Sequence, residues 1–157
     1  VEQFREIFNA QMREQSKEIG LSLHEVVTLA SLIEKETGIE AERPLVSAVF
    51  HNRLRAKIPL QSDPTVIYGL KSFSGSLTRK DLQSRSPYNT YRIRGLPPGP
   101  ICNPGLASLR AALYPARVPY LYFVSKNDGS HLFSASLGEH NQAVKIYQSG
   151  KPRHPRP

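Results

Sequence analysis

The chain has 157 residues, 39% of them hydrophobic, a formal net charge of +8 and one cysteine. That length suits one domain with its own core. The lone Cys102 excludes an intrachain disulfide and a zinc site built on several cysteines, and reads as a small buried residue. No apolar run approaches the roughly 20 residues of a membrane-spanning helix. Positive charge attracts polyanions, which leaves nucleic acid, anionic lipid and the bacterial wall as partner classes.

Phe4, Ile7, Phe8 and Met12 are near helical spacing, so residues 1–18 are expected to form an amphipathic helix. No signal peptide is visible in the sequence, and the start at Val1 reads as a piece of a longer protein. A second helix is expected in GLSLHEVVTLASLIEKETG. Ser22 and Glu25 form a capping box at its start, and Gly38 offers a C-terminal stop. IEAERPLVSAVFHNRLRAK follows as a third helix, with Pro44 in its first turn and a stripe of Leu45, Val46, Val49, Phe50 and Leu54.

Beyond Lys57 the texture changes. IPLQSDPTVIYGL mixes prolines with β-branched residues and is expected to be irregular, while LTRKDLQSRSPYNTY holds one short helix. GLPPGPICNPG is a stiff loop and LASLRAALYP a short helix. YLYFVSKNDGSHLFSAS reads as a β-hairpin turning at Asp128-Gly129, and LGEHNQAVKIYQ as a closing helix. The expected fold class is α+β: a helical N-terminal half, a β-hairpin and long ordered Pro/Gly loops. Residues 1–150 form the domain and the tail 151–157, KPRHPRP, a disordered end.

The stretch LASLIEKETG raises a chemical question, because Glu34 and Glu36 end an apolar run. At 100° per residue they stand about 200° apart, so they share no narrow face. Measured from the centre of the apolar stripe, Glu34 lies about 70° to one side and Glu36 about 90° to the other. Both border the core, and periodicity does not choose between them. A two-carboxylate glycosidase pair has to flank a bond at about 5–10 Å, which opposite sides of one helix do not. No metal-ligand spacing accompanies them. From spacing alone, each reads as a half-buried boundary residue paired with Lys or Arg.

Six blocks in order then carry a resemblance: LASLIEKET, ERPLVSAVFHNRL, LQSDPTVIYGL, SPYNTYRIRGLPPGPICNPG, LRAALYPARVPYLYFV and HNQAVKIY. Over residues 20–148 the chain resembles the catalytic domain of the YceG-like family of endolytic murein transglycosylases. The resemblance implies a lysozyme-like active-site helix and no cofactor. It implies cleavage between N-acetylmuramic acid and N-acetylglucosamine in nascent peptidoglycan, leaving 1,6-anhydro-muramic ends. It also implies peptidoglycan synthases as partners and a place in the bacterial cell envelope, outside the cytoplasmic membrane. The resemblance further implies a membrane anchor and a LysM-like module ahead of this domain, neither of which is expected within these 157 residues.

This chemistry removes the need for two carboxylates. The C6 hydroxyl of the substrate attacks its own anomeric carbon, so one carboxyl serves first as acid and then as base. Such a group starts protonated, which desolvation beside an apolar core favours. In the wider lytic transglycosylases the catalytic Glu precedes Ser or Thr. Here Glu36 precedes Thr37 and Glu34 precedes Lys35. The resemblance therefore selects Glu36 and leaves Glu34 as a support or a solvated neighbour.

Gln61, Ser62 and Asp63 are expected to form a cleft wall that binds hydroxyl and N-acetyl groups, the alternative being an Asx-type turn before Pro64. Tyr68, Tyr88 and Tyr91 could stack on sugar faces or pack the core. Asn89 and Thr90 offer uncharged donors and acceptors for acetamide groups. Arg92 and Arg94 suit stem-peptide carboxylates or plain solvent exposure. His131 and His140, with no acid partner at a telling spacing, read as structural. The rival functions are a non-catalytic peptidoglycan-binding module and a nucleic-acid-binding helical domain. The second lacks a clustered basic helix or an aromatic RNA-binding signature.

Overall fold

The computed structural model describes residues 8–148. Phe4, Ile7 and the tail 151–157 therefore lie outside the described residues. The first helix, α1, runs Ala10–Glu18, with the Asn9 side chain accepting from Met12 N at its start. Met12 is buried, and Gln15 Nε2 donates to Leu113 O far along the chain.

The spine is α2, Leu23–Glu36. The expected capping box is present: Glu25 N donates to Ser22 Oγ, and Ser22 N donates to Glu25 Oε1. Val26, Leu29, Ala30, Leu32 and Ile33 are fully buried. Each large apolar side chain contributes about 1.5–3 kcal/mol by leaving water. That burial sets the rotation of α2 about its axis, and with it the directions of Glu34 and Glu36. The helix ends at Glu36 because Thr37 turns extended (φ −144°, ψ 140°). Gly38 does not act as a left-handed stop; among the described residues the positive-φ glycines are Gly20, Gly75, Gly95 and Gly129.

The expected third helix divides. Glu40–Glu42 form a 3-10 turn, and α3 runs Arg43–Ala56 with Pro44 in its first turn. Val46, Val49 and Phe50 are buried, and Lys57 closes the helix in the left-handed region (φ 58°). The stretch expected to be irregular contains α4, Asp63–Gly69. Pro64 suits the first turn of this helix, where its missing N–H is not needed. The following short helix, α5, is Arg79–Leu82, with a Thr78–Asp81 capping box.

The last helices are α6, Leu106–Leu113, and α7, Leu137–Tyr147. Between them β1, Tyr122–Ser125, pairs antiparallel with β2, His131–Ser134, in the register Phe123↔Phe133. Asn127 (φ 67°) and Gly129 (φ 89°) make the hairpin turn. The fold is α+β: α1, α3, α4 and α6 pack about α2, and the hairpin packs on α3 and α7. Arg53 of α3, itself buried, donates to Leu121 O and Pro59 O and lies 5.0 Å from the Tyr122 ring centroid, tying the hairpin down.

Candidate active site

The two glutamates of α2 face different neighbours, and each has a distinct hydrogen-bond set. Glu34 Oε1 accepts from Gly105 N at 2.9 Å, and Oε2 accepts from Ser108 Oγ at 3.0 Å. Arg43 Nη2 lies 3.5 Å from Oε2. Gly105 is the N-cap of α6, a residue with no side-chain oxygen to cap its own helix. Glu34, from another helix, instead accepts from the N–H of the N-cap residue itself and places a negative charge at the positive end of α6. A Cβ at residue 105 would come to 3.2 Å from Glu34 Oε1, so glycine permits the close approach.

The same side of α2 clasps the Pro/Gly loop at three points. His24 Nε2 donates to Pro98 O (2.6 Å), Ile101 N donates to Ser31 Oγ (3.0 Å), and Gly105 N donates to Glu34. Positions 24, 31 and 34 lie along one stripe of a helix. Cys102 Sγ is 3.4 Å from Ser31 O, half-buried in this seam. Burial pushes its thiol up, against a lowering from Lys35, with Glu34 adding to the rise. It is therefore a poor nucleophile.

Glu36 faces the other way, toward α4. It is half-buried, and Ser62 Oγ donates to Glu36 Oε1 at 2.7 Å. Ser62 occupies the N-cap position of α4, yet its hydroxyl makes no bond to its own helix. The cap oxygen is directed to the carboxylate instead. Ser62 is itself buried and fixed from behind. Its N–H donates to Thr90 Oγ1 (2.9 Å), its carbonyl accepts from Thr65 Oγ1 (2.6 Å), and the two threonine hydroxyls lie 2.8 Å apart. Gln61, just before, sits at φ 52° with its N–H on Thr90 O. A left-handed non-glycine residue costs about 1–2 kcal/mol, strain of a kind found beside functional groups.

The other predicted site residues separate into front and back. Tyr68, at the far end of α4, is 51% exposed, and its ring lies 4.7 Å from that of Tyr88 at 55°. Six residues of helix place it about 9 Å along the axis from Ser62. Asp63 is exposed and accepts from the Tyr91 hydroxyl. Asn89 and Thr90, by contrast, are fully buried. Asn89 Nδ2 donates to Leu82 O and Ser84 O, and its Oδ1 accepts from Tyr91 N. These two residues hold the loop behind Ser62 and do not meet solvent. Gly69 is part of the same support: an added Cβ would come to 2.2 Å from Ser86 Oγ. Arg92 donates to Gln83 O on the outside of the loop, and Arg94 is exposed.

Three contacts escaped the linear reading. Thr65 completes the hydroxyl group behind Ser62. Thr37 Oγ1 donates to Glu42 Oε1 at 3.1 Å. His131, expected to lack an acid partner, pairs with Glu42: Nδ1 to Oε1 at 2.8 Å, and backbone N–H to Oε2 at 2.9 Å. Burial pushes the Glu42 carboxyl up, but the hydrogen bonds from His131 and Thr37 outweigh it and hold the group below its ordinary range. The partners are 89 residues apart, a separation that no local spacing reveals. Among the described residues no cluster of three or more His, Cys, Asp or Glu could hold a metal ion, and no helix is long and apolar enough to cross a membrane.

A profile of the YceG-like family matches residues 1–146. An endolytic murein transglycosylase of Bacillus subtilis (strain 168) is 45% identical over 139 residues, covering 88% of this chain and 39% of that protein. One from Streptococcus pneumoniae serotype 2 is 30% identical over 141 residues, covering 86% of this chain and 26% of the relative. The crystal structure of a YceG-like protein from Listeria monocytogenes matches with a TM-score of 0.77 and 44% identity, over 85% of this chain and 43% of that one. The chain thus spans 39% or less of the curated relatives described.

Proposed function

The chain belongs to the YceG-like family, and from that membership and the setting of Glu36 we propose that it is the catalytic domain of an endolytic lytic transglycosylase. Its substrate is the glycan strand of nascent peptidoglycan, and it cuts the bond from N-acetylmuramic acid to N-acetylglucosamine. The observation that carries the reading is the division of labour on α2. Glu34 is committed to capping α6, whereas Glu36, half-buried on the opposite side, is oriented by Ser62 at 2.7 Å.

In the proposed reaction protonated Glu36 gives its proton to the glycosidic oxygen as the bond to the muramic anomeric carbon breaks. The leaving N-acetylglucosamine departs with a free hydroxyl. Glu36, now a carboxylate, takes the proton of the muramic C6 hydroxyl as that oxygen bonds to the anomeric carbon. A 1,6-anhydro ring closes, no water is consumed, and Glu36 ends protonated as it began. Ser62, donating to Glu36 Oε1, limits the rotamers from which the proton moves. Tyr68, backed by Tyr88, offers a ring face to a sugar along the strand. Gln61 and Asp63 lie beside Ser62 as hydrogen-bonding groups for hydroxyl and acetamide substituents.

On this reading the domain acts in the bacterial cell envelope, outside the cytoplasmic membrane, and peptidoglycan synthases are its proposed partners. The net charge of +8 suits an anionic wall. Digestion of purified peptidoglycan with mass analysis of the fragments tests the reading. Anhydro-muramic ends from the wild type, absent with Glu36→Gln, are expected. Reducing ends point to a hydrolase, and binding without any release points to a wall-binding module.

A further inference from the structure

Glu36 is the last residue of α2, and helix ends open more readily than helix middles. A catalytic carboxyl at such a place needs the next residue held. We propose that Glu42 is a positioning residue for Glu36, locking the turn after the catalytic helix to the β-hairpin through Thr37 and His131; the proposal rests on the transglycosylase reading above.

One carboxylate gathers three donors, one from Thr37 five positions before it and two from His131, 89 positions along the chain. Thr37 Oγ1 and His131 Nδ1 both reach Glu42 Oε1, at 3.1 and 2.8 Å, and His131 N–H reaches Oε2 at 2.9 Å. The Thr37 hydroxyl also accepts from Ile39 N at 3.1 Å, so the chain after Glu36 is folded over one buried oxygen. The His131 and Glu42 side chains are only 10% and 12% exposed, which keeps water from competing for these bonds. The far anchor is firm: the His131 ring packs edge-on against Phe123, and Phe123 packs edge-on against Phe50 of α3. Glu36 is thus constrained at its carboxyl by Ser62 and at its backbone by the Thr37–Glu42–His131 bridge.

The test compares wild type, Thr37→Val, Thr37→Ser, Glu42→Gln and the Thr37→Val/Glu42→Gln double variant. Release of anhydro-muropeptides is measured as kcat and KM at a temperature well below every variant's Tm. Displacement of a catalytic group by about 1 Å costs up to about 100-fold. Thr37→Val, which keeps shape and loses the hydroxyl, is expected to lower kcat about 10- to 100-fold with KM within about twofold. Thr37→Ser keeps most of the rate, and the double variant is little worse than the weaker single one. Wild-type kcat in folded Thr37→Val or Glu42→Gln, with only Tm lowered, overturns the proposal and leaves the transglycosylase reading standing. If Thr37→Val does not fold, Glu42→Gln decides by the same criterion. A wild type that releases no anhydro ends removes the transglycosylase reading, and this proposal with it.

Discussion

Exchanging either glutamate of α2 for glutamine should separate stability from chemistry. Glu34 accepts hydrogen bonds from Gly105 N and Ser108 Oγ and lies 3.5 Å from Arg43. In Glu34→Gln the amide oxygen keeps one acceptor, and the charge is lost. A hydrogen bond to a charged group contributes about 1.5–3 kcal/mol, against about 1 for a neutral one. The charge at the α6 N-terminus adds about 0.3–1 kcal/mol. The Arg43 contact, with Glu34 29% exposed, adds at most about 1 kcal/mol. A loss near 2 kcal/mol follows, which for a domain of this size lowers Tm by about 4–8 °C. Activity measured below Tm should survive. Glu36→Gln should behave in the opposite way. Its amide oxygen still accepts from Ser62, so Tm moves little, while loss of the acid and base lowers release of anhydro-muropeptides by about 100-fold or more. Thermal unfolding by circular dichroism, paired with product release at 25 °C, reads both. A Glu34→Gln protein with wild-type Tm and no activity would reverse the assignment.

Other expectations follow from the same contacts. Ser62→Ala removes the 2.7 Å bond to Glu36; kcat should fall about tenfold, with KM nearly constant, in initial-rate assays. Tyr68 is 51% exposed, so Tyr68→Ala should leave Tm in place and raise KM for glycan strands several-fold, by about 1 kcal/mol of lost stacking. Wild-type KM in that variant would argue against a sugar platform. The Glu42 carboxyl is held below its ordinary value despite burial, so the folded protein binds fewer protons there than the unfolded chain. Its contribution is complete above the unfolded value of about 4.3 and is lost as pH falls through the lower folded value. Urea unfolding of wild type and Glu42→Gln should accordingly differ most near neutral pH and converge in acid.

Local order was legible in the residues. The Ser22–Glu25 box, Pro44 in a first turn, the turn near Asp128-Gly129 and the apolar spacing of α2 and α3 act through neighbours a few positions apart, and all are present. The division at Glu42, the extended Thr37 and the helix α4 were not legible. Short elements next to prolines have little propensity of their own, and tertiary partners decide them. Asn89 and Thr90 show the same limit at the site. Their chemistry suits a ligand as well as it suits a loop, and only burial tells that they bond the backbone.

The two glutamates mark the boundary most clearly. The sequence by itself determined that both flank the apolar face of one helix, because a helix turns 100° per residue and burial orients it. Which one is committed to structure was decided by chain segments far away. Gly105 and Ser108, more than 70 residues along, claim Glu34, and Ser62 at the start of α4 claims Glu36. Hydrogen bonds act over about 3 Å in space, whatever the distance in sequence. The partners of each carboxylate were therefore fixed only when the chain folded.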